Sequence, residues 1–82
     1  MTFGRQPASW VIHKPHRDRL SLEKKLMELH SSDDPVALSR GKLHTGEHHL
    51  KFRLGEIECR MNYRVEGMRT TITRLGTNKE MH

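Results

Sequence analysis

The chain has 82 residues, fifteen Lys and Arg against ten Asp and Glu for a net charge of +5, and 33% hydrophobic residues with only one Trp, one Tyr and two Phe. One domain of this length removes only roughly 60–65% of its unfolded surface from water, so the core is expected to be a single sheet with helical cover. No apolar run approaches the ~20 residues of a membrane-spanning helix, and the opening Met1-Thr-Phe-Gly-Arg-Gln-Pro7 lacks the apolar stretch of a signal peptide. The lone Cys59 has no internal disulfide partner, which suits a reducing cytoplasm. The positive balance favours nucleic acid, the ribosome, an anionic surface or an acidic protein as partner.

Residues 1–8 carry Gly4 and Pro7 and no period, which predicts a flexible arm. In Ser9-Trp-Val-Ile-His-Lys14, Trp10 and Ile12 alternate onto one face, which predicts a first strand ended by Pro15, with Trp10 as core cover. From Arg17 to about His30, Leu20, Leu22, Leu26, Met27 and Leu29 cover roughly half of a helical wheel, an amphipathic helix with Glu23 as a flaw inside its apolar arc. Asp34 and Pro35 form a cap and first-turn pair for a short second helix, Pro35 to Arg40, closed by Gly41.

The second half alternates with a period of two. Leu50, Phe52 and Leu54 share one face and His49, Lys51 and Arg53 the other. Beyond a tight Gly55-Glu56 connection, Ile57, Cys59, Met61, Tyr63 and Val65 oppose Glu58, Arg60, Asn62 and Arg64. Glu66-Gly67 introduces a last strand, Arg69 to Leu75, where Ile72 and Arg74 fall on the same side unless a bulge near Thr73 separates them. The predicted fold is therefore α+β, one domain over 1–82. An antiparallel three- to four-stranded sheet has one long and one short helix packed on one face.

The polar faces of these strands collect Lys51, Arg53, Arg60, Arg64 and Arg74, with His82 a few residues beyond. Guanidinium and ammonium groups hold a phosphodiester and stabilise its added negative charge in the transition state, while an imidazole titrating near neutrality moves protons. In RNA the 2′-OH is the internal nucleophile, so this chemistry requires no metal or other cofactor. Among the seven histidines, His44, His48 and His49 with Cys59 have unpersuasive metal-ligand spacing, since His48 and His49 point apart in a strand. The same cations also fit the plainer role of a solvated sheet face.

Two stretches carry a family resemblance. Leu50-Lys-Phe-Arg-Leu-Gly-Glu56 followed by Glu58-Cys-Arg-Met-Asn-Tyr-Arg-Val-Glu-Gly67 resembles the basic strand, glycine turn and Tyr-Arg-Val strand of the RelE/ParE toxin superfamily, and Thr73-Arg-Leu-Gly-Thr-Asn-Lys-Glu-Met-His82 resembles its terminus. The first half agrees in element order, a strand followed by helical cover, with a shorter helical portion. The resemblance implies an endoribonuclease toxin of a toxin–antitoxin system that cleaves mRNA on the ribosome and is neutralised by an acidic antitoxin. It assigns Arg60, Arg74 and His82 to catalysis and Lys51 and Arg53 to RNA binding; Arg64 of the polar strand face and Lys79 near the terminus are read as further RNA-binding residues. Thr77-Asn78 stands where the family usually has His-Arg. The alternatives are inhibition of DNA gyrase, as in the other branch of the superfamily, or a non-catalytic basic module docking on RNA or an acidic partner.

Overall fold

A computed structural model of the chain describes all residues except Asp33, Ala37, His44 and His82. In chain order the elements are β1 (Thr2–Phe3), α1 (Arg5–Ile12), α2 (His16–Ser31), β2 (Gly41–Lys42), β3 (His48–Leu54), β4 (Ile57–Glu66) and β5 (Arg69–Thr77). The architecture is α+β, with two helices against a five-stranded mixed sheet in the order β1-β5-β4-β3-β2. The strands from β2 to β5 form an antiparallel meander, and β1 adds to its edge in parallel with β5.

Three expectations from the sequence are corrected. The stretch 1–8 is not an arm: Thr2 and Phe3 pair with Thr71 and Ile72, and a helix begins at Arg5. Ser9–Lys14 is not a strand, because the governing spacing is Pro7, Trp10 and Val11, a helical i, i+3, i+4 set turned to the core, whereas Ile12 is 70% exposed. The short helix is thus α1, and the described residues of 35–40 form turns and bends instead. The sheet has five strands where the sequence predicts three or four, because Ser9–Lys14 contributes none and the β3–β5 meander gains β1 and β2 at its outer edges, β1 in parallel.

Where β1 gives way to α1, the Gln6 side chain takes over the ladder. Its Nε2 donates to the Leu75 carbonyl (2.6 Å) and its Oε1 accepts from the Leu75 N–H (2.9 Å), as a strand peptide would. Lys14, in the link to α2, places its Nζ 4.2 Å from the centre of the Trp10 ring, a cation–π contact. In α2 the buried stripe is Leu22, Leu26 and Leu29, narrower than the expected arc; Leu20 and Met27 are 52% and 60% exposed, and Glu23 is outside it.

One core cluster joins Trp10, Leu22 and Leu29 to Leu50, Phe52, Leu54, Cys59, Met61, Tyr63, Ile72 and Leu75. Both helices therefore cover the same sheet face. Each fully buried aliphatic side chain here contributes about 1.5–3 kcal/mol. Tyr63 also reaches out of the sheet, donating its hydroxyl to the Pro35 carbonyl (2.7 Å) and so tying the 32–40 loop to the core. Burial pushes the Tyr63 phenol and the Cys59 thiol up from their ordinary values. His48 is buried too, 5.8 Å from the Tyr63 ring, and its Nδ1 finds no hydrogen-bond partner among the described residues.

Two glycines set the hairpins. Gly55 and Gly67 have φ of +64° and +60°, each at the first position of a two-residue loop between Leu54 and Ile57 and between Glu66 and Arg69. No non-glycine residue among those described has positive φ, so both loops follow the residue choice of a type II′ turn. Among the described residues no helix is long and apolar enough to cross a membrane.

Candidate nucleic-acid interface

The uncovered sheet face is built by register. Reading across the strands, Gly41, His49, Asn62 and Arg74 form one row, Lys51, Arg60 and Gly76 the next, and Arg53 and Glu58 the third. Directly opposed side chains start about 5 Å apart and diagonal ones about 7–8 Å. Arg60 is the centre: Lys51 is opposite, and His49 and Arg74 are diagonal.

Arg74 owes its place to an irregularity. Asn62 pairs with Arg74 but Tyr63 pairs with Ile72, so Thr73 is the extra residue of a bulge. This is the bulge the sequence calls for. It keeps both Ile72 and Leu75 in the core and turns Arg74 to the open face. The Thr73 hydroxyl bonds to the Asn62 carbonyl and to the Glu47 carboxylate, which reaches across from the start of β3. Glu47 thus adds a carboxylate to the face, at the opposite end from Glu58.

The remaining predicted residues sit further out. Arg53 is exposed beside the Gly55 turn, opposite Glu58; Arg64 is exposed opposite Thr71, with Asn62 between it and Arg60. Lys79 is exposed in the turn after β5, off the strand rows. His82 lies outside the described residues. The structure therefore brings Lys51, Arg60 and Arg74 together, with Arg53 and Arg64 at the margins and Lys79 apart.

Among the described residues the face holds a single ion pair, Lys51 Nζ to Glu58 Oε1 at 3.8 Å. Both side chains are over a third exposed, so the pair contributes about 0–1 kcal/mol. Arg60 has no carboxylate partner there. Its Nη2 donates to His49 Nδ1 (3.2 Å), and its enclosed Nε finds no acceptor among the described residues. A guanidinium keeps its protons, so Nδ1 is the acceptor and His49 is the neutral Nε2–H tautomer. Burial first, then the charges of Arg60, Arg40 and Lys51, hold the His49 pKa below its ordinary 6.5.

His49 is the residue to which the sequence reading gave no role. Its signal was present, because alternation already put it on the face of Lys51 and Arg53. What could not be read was the diagonal hydrogen bond to Arg60, which depends on a register set by the Gly55 turn.

On the other flank, Gly76 stands opposite Arg60 and makes room for the end of the chain. A Cβ there would meet the Cβ of Glu80 and the Cγ of Met81, each at 3.3 Å. That terminal turn is held by a reciprocal capping box: the Glu80 N–H donates to Thr77 Oγ1 (3.2 Å), and the Thr77 N–H donates to Glu80 Oε1 (2.9 Å). Trp10 Nε1 donates to the same carboxylate oxygen (3.4 Å). These bonds to Thr77 and Trp10 hold the Glu80 carboxyl below its usual range. Residues up to Met81 are in this way packed against the row that carries Arg60.

Among the described residues no three His, Cys, Asp or Glu side chains converge as metal ligands would. Compared with known proteins, the chain matches no family model, no curated protein and no solved structure.

Proposed function

We propose that the chain is a metal-independent endoribonuclease toxin of RelE type, acting on mRNA at the ribosome. The observation that carries the reading is the grouping of Lys51, Arg60 and Arg74 at adjacent positions of one uncovered sheet face, with no carboxylate on Arg60. Lys51 directly opposite Arg60 and Arg74 diagonal to it put like charges on neighbouring strands, and a fold that maintains them gains from an anion laid across them. The element order, a strand, two helices and a meander, supports the same family.

In this reading Arg60 and Lys51 hold the non-bridging oxygens of one phosphate, and Arg74 meets the charge that develops as the 2′-oxygen adds to phosphorus. The new 2′-O–P bond forms as the P–O5′ bond breaks. The 2′-OH proton goes to a base, the leaving 5′-oxygen receives a proton, and the products are a 2′,3′-cyclic phosphate and a 5′-hydroxyl. His82 is the imidazole that the resemblance assigns to proton transfer. Arg53, Arg64 and Lys79 follow the RNA backbone to either side, and a short acidic protein covering the face is the expected antitoxin.

The non-catalytic reading keeps one supporting observation. The imidazole visible on the face, His49, spends its Nδ1 on Arg60, and a surface that only docks RNA needs no free base. Mapping mRNA ends after adding the protein to a translating extract separates the two. New 5′-hydroxyl ends within coding sequence, lost with Arg74→Ala, are the expected result; slowed translation with intact mRNA assigns the chain to the docking class.

A further inference from the structure

We propose that His49 is part of the phosphate site: a phosphate bound at Arg60 takes the guanidinium from His49 Nδ1, and the imidazole takes up a proton in exchange. The inference rests on the RNA-binding reading of the cationic face and adds to it a residue and a coupled proton.

The geometry carries it. Among the described residues Arg60 has one side-chain hydrogen bond, to the neutral nitrogen of His49. A phosphate oxygen is a stronger acceptor for a guanidinium than a neutral imidazole, because it carries a negative charge that adds Coulomb attraction to the hydrogen bond. Arg60 therefore transfers to the anion, and Nδ1 recovers its lone pair beside a negative charge. The ring is already seated for the exchange. Its Nε2 lies 3.1 Å from where a Cβ of Gly41 would be, so β2 offers no side chain to displace it.

The charges around the ring decide the direction. Arg40 precedes β2, Glu47 precedes β3, Lys51 follows His49 along β3, Arg60 and Arg64 lie on β4, and Arg74 faces it across Asn62 from β5. One carboxylate, Glu47, held by the hydroxyls of Thr45 and Thr73, stands against these five cations, and the net positive charge disfavours an imidazolium. A phosphate among these groups cancels that field. Protonated His49 then offers N–H donors of its own to the anion.

The test is calorimetric titration of a 2′-O-methyl RNA hexanucleotide, which cannot be cleaved through the 2′ position, at low salt in two buffers of different ionisation heat. The wild type takes up as much as one proton on binding. Its affinity weakens by up to about tenfold per pH unit as pH rises through the interval that opens at the free-state His49 value, below 6.5, and closes at the raised value of the bound state. His49→Asn retains an acceptor for Arg60 but does not titrate, so it binds RNA with the proton uptake and the pH slope removed. Ring ¹⁵N shifts of His49 in the wild type give the same answer without a variant, moving from the Nε2–H pattern to the doubly protonated one. RNA binding with no proton uptake, or with undiminished uptake in His49→Asn, overturns the inference alone. Absence of RNA binding overturns the RNA reading with it.

Discussion

Arg60→Met is expected to lower the proposed RNA cleavage by about 10²–10³, the range for removing one preorganised donor from the oxygens of a reacting centre, while leaving the fold as stable as the wild type or more so. The two halves of this expectation have one cause. Among the described residues Arg60 has no ion pair, its enclosed Nε is unbonded, and its one side-chain hydrogen bond, to His49, contributes about 0.5–1.5 kcal/mol against the repulsion from Lys51 opposite. The fold therefore loses little when the guanidinium goes. Methionine fills similar volume between Lys51 and Gly76 and relieves like-charge repulsion. Cleavage rate and thermal midpoint measured on the same preparation check both halves. A variant that melts early and loses activity in proportion would make Arg60 a structural residue.

Tyr63→Ala is expected to cost about 3–5 kcal/mol, the range for deleting a buried aromatic. A domain of this length has only about 0.05–0.15 kcal/mol of stability per residue, so the variant stands at the edge of unfolding. Tyr63 is fully buried, sits between His48 and Ile72 in the register, and holds the 32–40 loop through its hydroxyl. Tyr63→Phe keeps the ring and loses that one bond, a cost of about 0.5–1.5 kcal/mol. Urea denaturation of both variants should rank them in that order. Equal losses would mean that the loop tether, not the ring, holds this part of the core.

The hairpins were legible because period-two alternation and two glycines at the turns leave few registers open. Even the bulge at Thr73 could be read, since Ile72 and Leu75 cannot both enter the core without it. The first half was harder. Trp10 and Ile12 mimic a strand, and only the packing of Pro7 and Trp10 against the sheet shows the helical spacing to be the real one. Strand β1 is two residues long and pairs with a segment some seventy positions away, a contact no local pattern announces. Asp34-Pro35 has the chemistry of a helix start, yet the chain there is drawn to the Tyr63 hydroxyl through the Pro35 carbonyl and turns instead.

For the face itself, alternation was enough to align Lys51, Arg53, Arg60 and Arg64, and the bulge added Arg74. Rank among them was not legible. Arg60 is central because Gly76, His49 and Lys51 surround it, which follows from pairings between three strands.

The most direct test of the account is an NMR titration of arginine-labelled protein with the 2′-O-methyl RNA hexanucleotide, following the side-chain Nε–H signals. Arg60 and Arg74 should move first and furthest, with Arg53 and Arg64 following and Arg17 and Arg19 of α2 unmoved. Movement confined to the α2 arginines, or equal small shifts at every arginine, would contradict a phosphate site centred on Arg60.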